Sequence, residues 1–311
     1  MKSTYLSNVN WVISQGLRRF YLLVLLLFTS STVIGQSLTH DIARNSYFFD
    51  FLTFKAFDGN KTFVEVFCKL PYKNLQFTKV PDGFTAYYNL EITLLNKKNV
   101  LVETASYNDS VKVDSYKEAR HLSTHSEIIR FTFVLKPDDY KVQVTITENQ
   151  SPVFRGFRRS LHVPDYAEKG LQASDIQMAT SITTTDEQTV LVKNGREIVP
   201  NVGHIYGVDS KVLHVYCELY NLNYKKKRNV NQFLATFTII DQNGQELRKG
   251  NYKQNKQGKT CALSLGIPVD GLDSGQYKLV LQVTDLDNSK TVTRQSNFHI
   301  IKDTSNRRVV I

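Results

Sequence analysis

The chain has 311 residues, 41% of them apolar and 22% charged, with a formal net charge of +10. That length suits about two domains of ordinary size, each long enough to bury a core. The charge is basic without being extreme, and with no recognition-helix pattern it gives nucleic-acid binding little support.

At the N-terminus, Arg18 and Arg19 precede an apolar run from Phe20 to Phe28, and Val33-Ile34-Gly35-Gln36 follows after small polar residues. A charged segment, a short apolar segment and a small residue at the cut site predict a secretory signal peptide over residues 1–36. Retention of that segment as a tether is the alternative. The run falls short of the roughly 20 apolar residues a spanning helix needs, so no membrane span is expected in the mature chain. The expected location is therefore periplasmic, cell-surface or secreted. Cleavage would remove Lys2, Arg18 and Arg19 but no acid, taking the charge from +10 to +7.

From Tyr47 onward, short runs rich in Val, Ile, Tyr, Phe and Thr alternate with period two and are broken by Asn, Asp, Gly and Lys. Strands are predicted near residues 47–57, 61–72, 84–96, 100–107, 127–136, 140–148 and 153–163. A second series falls near 189–199, 211–222, 231–241, 245–252, 259–267, 276–285 and 291–301. Helix signal is scarce, with one turn predicted over 116–121. Pro164 and Gly170 interrupt the alternation between the two series. The fold class expected is all-β, as two tandem immunoglobulin-like β-sandwiches over residues 37–165 and 170–303, with a tail over 304–311.

The second series repeats the first. Val64 to Leu70 reads against Leu213 to Leu219, placing Cys68 opposite Cys217. Further on, Asp139 to Val144 reads against Gln276 to Leu281, and Ser160 to Val163 against Asn297 to Ile300. Order is kept while spacing drifts by a loop's length, the signature of a diverged duplication.

Two tyrosines stand out for structure. Asp273-Ser274-Gly275-Gln276-Tyr277 has the form of a tyrosine corner, and Tyr140 follows Pro137-Asp138-Asp139 in a weaker copy. Cys68, Cys217 and Cys261 share parity with apolar neighbours and are expected in the core. Their odd number leaves at least one thiol free in a monomer, and a Cys217–Cys261 bridge stays open.

Chemistry is sparse. His121 and His125, with Glu127 nearby, form the one metal-like spacing, but Leu122 stands where the zincin pattern needs Glu; the plainer reading is a polar loop. No nucleophile elbow, P-loop or dinucleotide fingerprint occurs, so neither a catalytic residue nor a cofactor is assigned. Lys225, Lys226, Lys227 and Arg228 form the densest charge cluster. They read as a solvated hairpin tip or as a contact for an anionic partner.

Several phrases resemble the N-terminal region of the bacterial GWxTD-domain proteins: Thr62 to Tyr72, Leu75 to Phe77, Asp82 to Tyr88, Leu171 to Ile176, Val199 to Asn201 and Val215 to Leu222. The GWxTD motif itself is absent, since the lone tryptophan is Trp11. The resemblance implies an exported two-module β protein and carries over no catalytic residue. Within it, Ser174 and Asp175 read as a turn or as a contact between the halves. The expected function is a non-catalytic binding or assembly module for an envelope or surface protein. A glycan on Tyr87-Tyr88 or Phe48-Phe49, or a metal-dependent enzyme using the His121 to Glu127 loop, are the alternatives.

Overall fold

The computed structural model describes residues 47–57, 60–122, 125–148, 154–207, 210–226 and 231–302. Residues 1–36, expected to be a signal peptide, the tail 304–311, Lys227 and Arg228 lie outside the described residues. The described residues are all-β apart from single helical turns.

In the first half, β1 (Phe48–Lys55), β2 (Thr62–Pro71) and β6 (Ser126–Leu135) form an antiparallel sheet in that order. A second sheet holds β3 (Thr78–Val80), β4 (Gly83–Leu95), β7 (Asp138–Glu148) and β8 (Phe154–Val163), with β5 (Leu101–Val113) also on β4. A short α-helix, α1 (Tyr116–His121), is capped by Ser115, whose hydroxyl accepts from Glu118 N at 3.1 Å.

The second half supplies two more sheets. One contains β9 (Gln172–Ala173), β10 (Gln177–Thr184), β11 (Val192–Lys193), β12 (Arg196–Pro200), β14 (Val212–Tyr220) and β17 (Cys261–Pro268). The other runs β13-β19-β18-β15-β16, from β13 (Ile205–Gly207), β15 (Gln232–Asp241), β16 (Glu246–Asn255), β18 (Gly275–Asp285) and β19 (Thr291–Ile301).

The repeat in the sequence is a repeat in pairing. Tyr140 stands opposite Leu161 across β7 and β8, and Tyr277 stands opposite Phe298 across β18 and β19. The order β5-β4-β7-β8 recurs as β16-β15-β18-β19, and β2 pairs with β6 as β14 pairs with β17. Each half has its own core. Val64, Val66, Cys68 and Leu70 face the first with Ile92, Val144 and Phe133; Leu213, Val215, Cys217 and Leu219 face the second with Leu263, Leu281 and Phe298.

A third core lies between the halves. Leu52, Phe54 and Phe67, on the other face of β1 and β2, pack against Ala179, Ile198, Val202 and Tyr216. Strands β1, β2 and β14 are thus buried on both faces. Residues 45–311 form one compact unit.

Three features depart from the sequence reading, and a fourth settles a point that it left open. The strand predicted over 189–199 is the hairpin β11–β12, turned at Asn194 and Gly195, both with positive φ, as a two-residue hairpin turn requires. Strand β10 has no counterpart in the predicted series, because Gln177–Thr184 is polar toward its end and lacks clean alternation. Strand β5 runs on to Val113, into the segment read as loop. All three cysteines are buried free thiols, so Cys217 and Cys261 do not bridge.

Candidate functional site

The contact between the halves is polar as well as apolar. Glu65, fully buried on β2, accepts from Arg130 Nε on β6 at 2.9 Å and is also bonded by Lys193 from β11. The Lys193 ammonium lies 3.9 Å from the centre of the Phe54 ring and 2.8 Å from Gln177 Oε1. Two cations thus compensate one desolvated carboxylate, with Lys193 crossing between halves.

Asp175 makes a second tie. Its Oδ2 accepts from Thr53 N at 2.8 Å and from Thr53 Oγ1 at 2.6 Å, while its own N–H donates to Thr53 O at 3.2 Å. Tyr166, buried within the Pro164–Gly170 junction, shares a hydrogen bond with Thr53 Oγ1 at 2.8 Å. Burial pushes the Asp175 carboxyl above its ordinary range, against the pull of the two Thr53 bonds and the Arg294 charge. Ser174 anchors the same turn to the second half: its hydroxyl accepts from Glu218 N at 2.9 Å, and Arg294 Nε donates to its carbonyl at 3.2 Å. The Ser174-Asp175 step is therefore both a turn and a contact between halves.

Beside this tie opens a cleft of about 710 Å³. Its floor is β1 from Phe48 to Leu52, and its walls are β8 at Arg159–His162, the turn at Val202–His204 and β19 at Gln295–His299. His204 has φ +51, a left-handed conformation uncommon for non-glycine residues though more open to His than to most. Its carbonyl accepts from His299 N at 2.8 Å, its Nδ1 donates to Asn297 O at 3.0 Å, and its Nε2 lies 3.0 Å from Asp50 Oδ2. A carbonyl and a carboxylate are both acceptors, so only the doubly protonated ring satisfies both contacts. Burial alone would lower the His204 pKa, but the charge and hydrogen bond of Asp50 outweigh it and the pKa is raised. His299, half-buried and close to the positive charge of His204, is shifted downward, by desolvation first and by that charge second.

The other residues singled out from sequence fall elsewhere. Tyr277 Oη donates to Asp273 O at 2.8 Å and Tyr140 Oη to Lys136 O at 2.9 Å, each reaching back over its own turn. Lys225 and Lys226 lie on the segment leading out of β14, with Lys225 N bonded to Asn231 Oδ1 at 3.0 Å. His121 Nδ1 is 2.7 Å from Lys117 O, and Glu127 accepts from Tyr107 at 2.9 Å and from Tyr88. Among the described residues, no group of three or more His, Cys, Asp or Glu is placed to hold a metal ion. Tyr87 is exposed and Tyr88 buried, while Phe48 packs on the third core and Phe49 lies 5.0 Å from Phe157, centre to centre.

His204, Asp50, Lys193 and Arg159 were not among the residues the sequence singled out. Glu65 and Asp50, each a lone acid within an apolar strand, are the signal that could have pointed to the cations that meet them.

No family model and no curated protein matches the chain. Among solved structures, a Parabacteroides merdae β-glucuronidase aligns at 8% identity and TM-score 0.26 over 76% of this chain and 27% of the enzyme. The same enzyme with glycerol in its active site aligns at 10% identity and TM-score 0.26, over 80% and 29%. The chain thus spans under a third of those enzymes' length, and likeness at this level carries no argument about activity.

Proposed function

We propose that the chain is an exported, non-catalytic binding or assembly module of two immunoglobulin-like sandwiches, related to the N-terminal region of GWxTD-domain proteins, and that its ligand is a protein. The observation that carries this reading is the clamp between the halves. Lys193, Asp175 and His204 each reach buried partners in the other half, at Glu65, Thr53 and Asp50. Such contacts hold two sandwiches in one fixed orientation, and the cleft beside them keeps its shape as a preformed recognition surface.

Chemical crosslinking on intact cells, followed by recovery of the full-length protein and mass spectrometry, tests this. One protein recovered in near-stoichiometric amount is expected. Recovery of none, or turnover of a substrate by the purified chain, would overturn the reading.

A further inference from the structure

The two copies differ at one seam. In the second half the outer edge of β19 is covered by β13, paired parallel to it at Ile205–His299, Tyr206–Ile300 and Gly207–Ile301. The fit is close: a Cβ on Gly207, at φ +121, would strike the Ile301 carbonyl. Tyr206 fills the gap between the sheets, its ring 6.1 Å from that of Phe298. In the first half the equivalent strand, β8, pairs only with β7, and no described strand lies on its other side.

The edge left open can be read residue by residue. His299 N points away from β18, to His204 O. By the repeat, His162 occupies the matching position, and strand alternation gives Ser160 the same outward N–H and C=O, the C=O meeting only the neighbouring Arg159 Nε at 3.5 Å. The Thr62 hydroxyl already meets this side at Pro164 O, at 2.6 Å. Across the seam, Thr53 N and Lys55 N of β1 both bond away from β2, to Asp175 and Tyr220, so Phe49 and Phe51 also turn backbone groups toward the cleft.

Charge chooses the occupant. The Arg159 guanidinium lies over the Phe51 ring, 4.6 Å from its centre, at the mouth of this seam. Among the described residues no carboxylate pairs with it, whereas the acids lining the cleft are engaged: Asp50 with His204 and Asp175 with Thr53. A cation held by stacking and left without a counter-ion is ready to donate to a carboxylate.

We infer that the seam between β1 and β8 is a strand slot: an extended, acid-bearing segment of the partner protein adds to the β8 edge, as β13 adds to β19, and sets a carboxylate on Arg159. This rests on the protein-partner reading and deepens it to strand addition.

The test is selection of random decapeptides displayed against the full-length chain, followed by synthesis of the enriched sequence. The expected winners carry Glu or Asp at one fixed position, and their binding slows hydrogen exchange at the Ser160 and His162 amides. Arg159→Glu, on an exposed side chain, should weaken binding about tenfold and shift preference to Lys at that position. Ser160→Pro removes only an outward N–H and should abolish binding with the melting temperature kept. Winners indifferent to Arg159→Glu, or protecting another strand, would overturn the slot and leave the protein-partner reading standing. Enrichment of nothing on any face would overturn both.

Discussion

Asp175→Ala isolates one tie between the halves. The change strips the acceptor from two donors, Thr53 N at 2.8 Å and Thr53 Oγ1 at 2.6 Å. The hydroxyl keeps Tyr166 at 2.8 Å, so its loss is small. The amide has no such fallback, and an unpaired buried N–H costs about 1–3 kcal/mol. Relief of a desolvated carboxylate returns part of this, leaving a net loss of about 1–2.5 kcal/mol. In a body of this size that lowers the melting temperature by about 2–10 °C. Urea denaturation of Asp175→Ala, Thr53→Val and the double variant measures the coupling, expected at about 0.5–1.5 kcal/mol. Small-angle scattering should also show a broader distribution of overall dimensions in Asp175→Ala. Additive single effects, together with an unchanged scattering profile, would refute the claim that this carboxylate docks the halves.

Further outcomes follow from the same contacts. The raised pKa of His204 means that its stabilisation is complete below the unfolded value near 6.5 and is lost as pH rises through the folded value. Because His299 is shifted the opposite way, the signal is the difference between wild type and His204→Gln, which should shrink between pH 6 and pH 9 in thermal melts. Thiol titration without reductant should find no accessible cysteine in the native protein and three after unfolding. Burial pushes the Cys217 thiol up to about 12, so it also stays protonated and unreactive. Tyr277→Phe should cost about 1 kcal/mol in denaturant titration through the lost bond to Asp273 O. Lys256→Met should cost more, about 3–5 kcal/mol, because it leaves the buried Asp285 and nearby Asp287 without their shared cation.

Most of the strand pattern was legible because alternation in a half-buried strand is written directly in the residues. The pairing of Tyr140 with Leu161 and of Tyr277 with Phe298 could be anticipated from the repeat alone, since both pairs keep the same spacing. What alternation hides is a strand buried on both faces. Thr62–Pro71 carries Val64, Val66 and Cys68 on one face and Phe63, Glu65 and Phe67 on the other, and only contact with the second half explains why Phe63 and Phe67 stand there and why Glu65 is buried between them. The Asn194-Gly195 turn was visible as a dipeptide but lay inside a run read as one strand. The cleft was the least legible feature. His204 joins it to Asp50 across 154 positions of sequence, and no local spacing encodes such a distance.

The asymmetry of the halves accounts for where the proposed recognition surface lies. Two halves with the same pairing order have equivalent seams and equivalent outer sheet faces. In the second copy the inserted strands β11 to β13 use both: β11 and β12 carry Lys193 and Ile198 to the first copy's outer face, while β13 closes the second copy's own seam. The first copy has no corresponding insertion between β1 and β2, so its seam stays open although its outer face is covered. The turn from β12 to β13 then carries His204 to Asp50 on the floor of that open seam. Docking and opening are thus consequences of the same insertion. Replacing residues 185–195 with a short turn should therefore weaken the clamp at Glu65 without closing the β8 edge. That outcome is read as a lowered melting temperature with hydrogen exchange at Ser160 and His162 unchanged.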